Sequence, residues 1–243
     1  MGRHYYKTSR VKIQTLAVDS LRSLKKYFTY KELSKVLQIS EALLCRYVKG
    51  EVLPSVERAW HIINKTIEAG LVEKVIDRLL VLDERGIVNI YFIAYNTTVI
   101  KLASQRAFIE FADKAIDNVL TAAVNGIPLA TMVSDILETD IVVAKRTRDA
   151  GMIEYIEAQY LTPSPPVLTS LYLPRHAIHK GDRVLIVDDL LQSGRTLSAL
   201  VSLTERSNAK VVGVFALLSL GSQWKARVPD SVEKIVILRE IKL

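Results

Sequence analysis

The segment that most constrains the fold of this chain is VLIVDDLLQSGRT, residues 184–196. Four apolar residues predict a buried strand, two carboxylates follow at its carboxyl end, and a small polar loop then opens a helix. The amides of such a loop and the N-terminus of the helix can bind a phosphate. Asp188 and Asp189 can accept hydrogen bonds from a vicinal diol. A phosphate site beside a diol site indicates a phosphorylated sugar, whereas the simpler alternative is an acidic strand end in a plain α/β fold.

The chain around this segment alternates short apolar runs with helical patterns, starting after Gly86. The runs predict strands at 87–93, 118–123, 140–144, 184–187 and 211–218, and the patterns predict helices around 104–115, 127–138 and 195–207. Such alternation is typical of βαβ units and a mainly parallel sheet, with function at the carboxyl ends of the strands. Residues 146–180 contain four prolines and are predicted to form an insertion or hood. The last 20 residues carry no informative pattern.

Two further loops are candidates for anion binding. Ala123-Val124-Asn125-Gly126 joins a predicted strand to a predicted helix, although Asn-Gly is by itself an ordinary turn signal. Lys145, Arg146 and Arg148 follow the next predicted strand. Cations at that position can neutralise a pyrophosphate, or can simply form a solvated basic turn.

Residues 184–196 resemble the signature of type I phosphoribosyltransferases for 5-phosphoribosyl-1-pyrophosphate (PRPP), and residues 87–220 follow that family's order of features. Val124 to Gly126 resemble its pyrophosphate loop, and Lys145 and Arg146 the start of its mobile loop, while the role of Arg148 stays open. The resemblance implies ribose or metal contacts at Asp188 and Asp189, 5-phosphate contacts at Gln192, Ser193, Gly194, Arg195 and Thr196, and pyrophosphate contacts at Val124, Asn125, Gly126, Lys145 and Arg146. It also implies that PRPP is the ligand and that Mg²⁺ is a candidate cofactor, although no residue is assigned as a metal ligand with certainty. A non-proline cis peptide is implied next to Val124 or Asn125.

The excess positive charge of the protein lies at one end of the chain. The whole sequence has a formal net charge of +7, but residues 1–50 carry +8 and residues 51–243 carry −1. Concentrated basic charge is typical of a segment that meets a polyanion. A solubilising tail is the alternative, but this segment is also periodic and apolar, so we expect it to fold.

The basic segment carries a helical pair with helix-turn-helix spacing. Thr29 to Glu32 read as a capping box that opens one helix, and Ser40 caps a second that runs to Lys49. Leu44, Tyr47 and Val48 form the core stripe of the second helix. Residues 33–55 resemble the Cro/repressor type of helix-turn-helix, with Gln38 in place of the usual turn glycine. We expect Arg46 to read guanine and the lysines to meet phosphates, with DNA contacts at Lys31, Lys35, Ser40, Glu41, Ala42, Cys45, Arg46 and Lys49. The alternative is a helical pair that only packs or dimerises.

Two more helices are predicted before Gly86. Residues Val56, Trp60, Ile63 and Ile67 fall on one stripe, which predicts that Trp60 belongs to the core. The apolar run Leu71–Leu82 predicts a further helix that could add to a dimer interface. The expected fold is therefore α/β: a helix-turn-helix domain at 1–85, followed by a phosphoribosyltransferase-like parallel-sheet domain at 86–243.

The two halves together resemble archaeal regulators that fuse a helix-turn-helix to a phosphoribosyltransferase-like domain (the GfcR group), and the plan is similar to that of Gram-positive purine repressors. This resemblance implies a transcription regulator that senses PRPP, forms a homodimer or higher homo-oligomer and binds palindromic double-stranded DNA. Gln192 and Arg195 depart from the enzymes' signature, which favours sensing over turnover. Two alternatives stay open: an active phosphoribosyltransferase of orotate or purine type with a nucleic-acid-binding appendage, and a salvage enzyme that binds RNA.

Several features bear on location and on other chemistries. Cys45 is the only cysteine, so no internal disulfide is possible and a reducing compartment is expected. The longest apolar run, Val211 to Leu218, is too short to span a membrane, and the first ten residues have no apolar core. We therefore expect a cytoplasmic protein without a membrane partner. His176 and His179 are predicted to be surface residues rather than metal ligands.

Overall fold

The computed structural model describes residues 10–81, 83–84, 88–151, 154–163 and 166–242. Its helices are α1 (Arg10–Leu24), α2 (Tyr30–Leu37), α3 (Glu41–Lys49), α4 (Val56–Glu68), α5 (Leu71–Leu79), α6 (Tyr91–Ala94), α7 (Thr97–Phe111), α8 (Ile127–Leu137) and α9 (Arg195–Arg206), with a short 3-10 helix at Gln223–Arg227. Its strands are β1 (Asn118–Ala122), β2 (Asp140–Ala144), β3 (Tyr155–Pro163), β4 (Pro166–Pro174), β5 (Arg183–Leu191), β6 (Lys210–Leu220) and β7 (Ile235–Ile241). The predicted boundary at Gly86 lies outside the described residues.

Local signals define the helical pair α2–α3. The capping box is present, since the Thr29 side chain accepts from the Glu32 N–H and the Glu32 carboxylate accepts from the Thr29 N–H. Ser40 caps α3 by accepting from the Leu43 N–H at 3.4 Å. Gln38 adopts the left-handed conformation, with φ at +55°, so the turn forms without the glycine that is usual there.

Helices α4 and α5 correct two predictions. In α4 the buried face is centred on Ala59, Ile62, Ile63 and Thr66. Trp60 packs against the core as predicted, but it is only half-buried, because the buried face is rotated by about one residue from the predicted stripe. In α5, Leu71, Val72, Val75 and Ile76 are buried within the chain, where α5 packs on α4, α7 and β7. That apolar face is therefore not available for a dimer interface.

Five parallel strands form one sheet in the order β2-β1-β5-β6-β7. Strands β1 and β5 pair only at Asn118–Val184, Val119–Leu185 and Leu120–Ile186. The chain runs from β1 to its outer neighbour β2, and from β5 to β6 in the opposite direction. A crevice at the carboxyl ends of such strands is where ligands bind in open α/β sheets.

One strand prediction is wrong, and two regions contain strands that the sequence did not predict. Of the strand predicted at 87–93, residue 87 lies outside the described residues, and residues 88–93 do not form a strand. The Asn89 side chain accepts from the Tyr91 N–H at 3.2 Å, and the short helix α6 begins at Tyr91. Strand β7 was not predicted, although its apolar side chains allow it to pair with β6 at the sheet edge. The predicted hood contains an antiparallel hairpin, β3–β4.

The apolar core is continuous between the helical segment and the sheet. One cluster extends from Ile13 and Leu21 in α1 through Phe111 in α7 to Phe215 in β6. A buried hydrogen bond also joins α1 to α7, from the Ser20 hydroxyl to the Gln105 side chain. A second cluster covers the other side of the sheet with α9 and the hairpin. The helices before residue 82 thus pack directly on the sheet domain.

Candidate functional site

A cavity of about 640 Å³ opens at the carboxyl ends of β1, β2 and β5. Its lining residues are Ala122, Ala123, Val124, Asn125, Lys145, Arg146, Thr147, Tyr160, Leu171, Asp188, Asp189, Leu190 and Thr196. The structure thus brings together seven of the predicted ligand residues: Val124, Asn125, Lys145, Arg146, Asp188, Asp189 and Thr196. Gly126 lies beside Asn125, and residues 192–195 lie just before Thr196, but these residues do not line the cavity directly.

Two buried carboxylates lie on one wall of this cavity. Asp188 and Asp189 are within β5, which continues to Leu191 and so extends past the predicted strand. They are 6% and 9% exposed, and the Asp189 N–H donates to Asp188 Oδ1 at 3.0 Å. Burial, and then the neighbouring Asp189 carboxylate, raise the pKa of Asp188 well above its ordinary value, and no described cation counteracts this shift. Strongly perturbed acids in a cleft are typical of functional sites.

The loop after β1 approaches these carboxylates closely. A Cβ at Gly126 would lie 2.3 Å from Thr121 Oγ1 and 3.3 Å from Asp188 Oδ1, so no side chain fits there. The Ala123–Val124 peptide is cis, so of the two predicted places, next to Val124 or next to Asn125, the bond lies at the first. Val124 is 67% exposed at the cavity. The loop therefore places its backbone, rather than large side chains, beside the carboxylates.

The loop between β5 and α9 has the geometry of an anion site. No side chain caps the N-terminus of α9, whose N-cap is Gly194 with φ at +75°. A Cβ at Gly194 would lie 2.9 Å from the Trp224 backbone. Arg227 supports the loop from outside, since its Nη1 donates to the Ser193 carbonyl at 2.7 Å. Free N–H groups at a helix N-terminus favour a bound phosphate, and Thr196 in the first turn faces the cavity.

The basic residues after β2 differ in their surroundings. Arg146 is exposed at the cavity. Lys145 forms an ion pair with Asp149 at 3.0 Å, which a ligand anion would have to displace. Arg148 does not line the cavity: its guanidinium lies over the Tyr172 ring at 4.8 Å and 3.8 Å from the Glu157 carboxylate. The structure thus separates Arg148 from the two residues that face the cavity.

The hairpin adds residues that sequence reasoning missed. Tyr160 in β3 and Leu171 in β4 both line the cavity. Strand alternation was the available signal, because it divides each hairpin strand into an inner and an outer face. Nothing in the sequence alone shows that the hairpin packs on α9 and β2, which brings these two residues to the cavity.

The carboxylates fit a divalent cation only in company with a ligand. No cluster of three or more His, Cys, Asp or Glu side chains that could hold a metal occurs among the described residues. Mg²⁺, however, is commonly held by one or two carboxylates together with ligand phosphates. Asp188 and Asp189 supply such a pair, with a raised Asp188 pKa that a nearby cation would lower.

The helical pair α2–α3 presents a second candidate surface. Glu41, Ala42, Arg46 and Lys49 are exposed, while Leu44 and Tyr47 are buried, as the predicted stripes require. Lys31, Lys35 and Ser40 are exposed on the adjoining turn and helix, and Cys45 is half-buried.

The charges on this surface are partly balanced by a residue that the sequence analysis missed. Glu51 lies 3.7 Å from the Arg46 guanidinium and 3.9 Å from the Lys49 ammonium. The sequence indication of this contact was the position of Glu51 just after Gly50, within reach of the last turn of α3.

Two histidines of the predicted insertion lie outside these two surfaces. His176 and His179 are both exposed, as predicted. No helix in the described ranges is long and apolar enough to cross a membrane.

Comparison with known proteins identifies the sheet domain. Residues 94–241 match the phosphoribosyl transferase domain family. The purine biosynthesis transcriptional repressor PurR of Bacillus subtilis is 29% identical over 108 residues, which cover 44% of this chain and 38% of that protein. A hypoxanthine/guanine phosphoribosyltransferase of Methanosalsum zhilinae is 37% identical over 116 residues, 46% of this chain and 56% of that protein. The chain thus matches well under two thirds of either relative.

A solved structure supports the fold. The adenine phosphoribosyltransferase of Rhodothermus marinus superposes with a TM-score of 0.60 at 23% identity, covering 70% of this chain and 98% of that one. The parallel sheet with its carboxyl-end cavity is therefore of the type I phosphoribosyltransferase kind, and the similarity extends to repressors as well as to enzymes. The chain belongs to the phosphoribosyl transferase domain family.

Proposed function

We propose that this protein is a DNA-binding transcription regulator whose phosphoribosyltransferase domain binds PRPP as an effector. One observation carries the proposal: a basic, exposed helix face lies outside the family's matched region but shares one apolar core with it. The similarity to purine repressors supports it. The combination has the plan of the GfcR group of archaeal regulators.

Each part of PRPP is assigned to residues that line the cavity or lie beside it. The 5-phosphate lies on residues 192–196 at the N-terminus of α9, and the ribose diol with Mg²⁺ lies on Asp188 and Asp189. The pyrophosphate lies against Val124 to Gly126, Lys145 and Arg146. Bound Mg²⁺ supplies positive charge that offsets both the buried carboxylates and the phosphates.

Two residues favour sensing over turnover. Gln192 is an exposed amide, and Arg195 a half-buried cation, at the loop that receives the phosphate. A cation there strengthens binding of the ground state, and uniform binding does not accelerate a chemical step.

On the DNA side, Arg46 reads a base in the major groove while Lys31, Lys35 and Lys49 contact phosphates. A homodimer or higher homo-oligomer presents two such helices to a palindromic duplex.

The test is a binding series on a duplex that the protein itself selects from a random-sequence pool. PRPP with Mg²⁺ should change the duplex Kd by roughly tenfold, within the usual range of allosteric coupling. Asp188→Asn combined with Asp189→Asn should remove this response while leaving DNA affinity without PRPP within about threefold. A hairpin RNA bound more tightly than the duplex, or no effect of PRPP on DNA binding, would contradict the proposal.

An active phosphoribosyltransferase is the second candidate, because of the 37% identity to the hypoxanthine/guanine enzyme. The protein is incubated with PRPP, Mg²⁺ and in turn hypoxanthine, guanine, xanthine, adenine and orotate, and pyrophosphate release is measured. We expect no release at ordinary enzyme rates, on the order of 1 per second. Release at that rate with any base would establish the enzyme instead.

A further inference from the structure

A side chain outside the cavity holds the predicted pyrophosphate loop. Tyr95 follows α6, and its hydroxyl donates to Asn125 Oδ1 at 3.0 Å. Asn125 lines the cavity. Since Tyr95 binds the oxygen of this amide, the NH₂ end remains to donate to an anion. The ring of Tyr95 packs against Tyr91, with centroids 5.0 Å apart.

The next residue connects this contact to the helical segment. Asn96 caps α7, because its Oδ1 accepts from the Thr98 and Val99 N–H groups at 3.0 and 3.1 Å. Its Nδ2 donates to the Tyr27 hydroxyl at 3.0 Å. Both ends of the Asn96 amide are thus used, and Asn96 follows Tyr95 directly in the chain.

Tyr27 lies at the corner between α1 and α2. Arg78 of α5 donates to the Tyr27 carbonyl and lies 4.5 Å from the centre of the Phe28 ring. Two residues further, Thr29 caps α2. Tyr30 then contacts Cys45 of α3, and burial together with this contact raises the pKa of the Tyr30 hydroxyl.

We infer that the contacts Asn125–Tyr95 and Asn96–Tyr27 form a relay through which an anion on the loop after β1 controls the position of α2 and α3. The inference rests on the proposed function and names its regulation. An anion that binds the Asn125 amide favours one conformation of the Tyr95 side chain. It therefore favours one position of the corner between α1 and α2. Coupling of this kind is reciprocal, so DNA on α3 changes the affinity for the anion by the same factor.

Tyr95→Phe and Tyr27→Phe test the relay, since each removes one hydroxyl and keeps the ring. For each variant, the Kd of the selected duplex is measured with and without PRPP and Mg²⁺. PRPP affinity without DNA is measured separately. We expect each single affinity to stay within about threefold of the original, while the ratio of duplex Kd values with and without PRPP falls at least threefold toward 1. Tyr91→Phe, in the same exposed aromatic group but outside the relay, should keep the full ratio.

A second readout does not depend on DNA. Amide hydrogen exchange of residues 30–49 is followed with and without inorganic pyrophosphate and Mg²⁺. The original protein and Tyr91→Phe should show a change in protection, and Tyr95→Phe should not. Full responses in both relay variants would overturn the relay and leave the proposed function standing. An original protein with no PRPP effect on DNA binding would overturn the proposed function, and the relay with it.

Discussion

Asp188 and Asp189 show how a pair of adjacent buried carboxylates can lower the stability of a protein. Both are buried side by side, and the pKa of Asp188 is raised by burial and by its neighbour. A raised carboxyl pKa means that the folded protein holds the proton more tightly than the unfolded chain. The stability from this group is therefore complete below about pH 4 and is lost as the pH rises through the raised pKa.

Asp188→Asn should consequently raise the melting temperature of the ligand-free protein at pH 7, by a few degrees. The amide keeps the Oδ1 acceptor for the Asp189 N–H and removes the buried charge. Melting curves from pH 4 to pH 8 should show a smaller loss of stability with rising pH than in the original protein. Asp135→Asn, at an exposed position of α8, is the control and should change little. A lower melting temperature for Asp188→Asn at pH 7 would mean that the carboxylate is stabilised by its surroundings.

Arg46 is the residue on which sequence readout is expected to depend. Its side chain is 55% exposed, and its guanidinium lies near Glu51 rather than in the core. Arg46→Ala should cost roughly 1–3 kcal/mol on the selected duplex while sparing random DNA. Lys35→Ala is the matched control, because a phosphate contact should weaken both duplexes alike. Equal losses for Arg46→Ala on selected and random DNA would identify Arg46 as another phosphate contact.

At the scale of elements, the strand-loop-helix unit of β5 and α9 depends on a close approach from another part of the chain. The 3-10 helix at Gln223–Arg227 packs on Gly194, and Arg227 binds the Ser193 carbonyl. The loop conformation is thus fixed both by its own glycine and by residues about 30 positions later.

Comparing the stability of Gly194→Ala with that of Gly181→Ala separates the effect of the positive φ from the effect of crowding by the Trp224 backbone. Both glycines have positive φ, at +75° and +88°, but only Gly194 is crowded; nothing lies within 4 Å of a Cβ at Gly181. Gly181→Ala should cost about 1–2 kcal/mol in urea unfolding, the penalty of the left-handed conformation. Gly194→Ala should cost ~1–3 kcal/mol more, as overpacking does, and should also weaken PRPP binding. Equal costs would show that the Trp224 backbone yields easily.

The whole molecule is held together by a core that both halves share. Helix α1 packs on α7, and α5 packs on β7, where Arg239 forms an ion pair with Asp77 at 2.7 Å. Two segments that differ in charge and pattern are therefore expected to unfold together.

The two tryptophans allow a direct measurement of this cooperativity, since Trp60 lies in α4 and Trp224 beside α9. Trp60→Phe and Trp224→Phe each leave one fluorophore, so each variant reports on one half. Fluorescence and far-UV circular dichroism should give the same urea midpoint within each variant. In Trp224→Phe the fluorescence comes from Trp60. A lower urea midpoint for this fluorescence than for circular dichroism would show that the helical segment unfolds independently.

The sequence by itself determined the features that depend on neighbours along the chain. The capping box at Thr29 and the end of α3 at Gly50 follow from local hydrogen bonding. Strands β1 and β2 and the loop of residues 192–196 follow from short apolar runs and from the polar residues that end them. It also predicted seven cavity residues, because the carboxyl ends of parallel strands meet at one edge of a sheet.

Only the tertiary structure decided which distant surfaces meet. Residues 87–93 have strand-like composition, yet α6 begins at Tyr91, and Asn96 caps α7 just beyond this segment. The apolar face of α5 is covered by β7 and α7 rather than by another copy. Tyr160 and Leu171 reach the cavity from the hairpin. The Tyr95 hydroxyl binds Asn125, 30 residues further along the chain. An apolar or polar pattern specifies that a face needs a partner, but which partner covers it depends on how the whole chain packs.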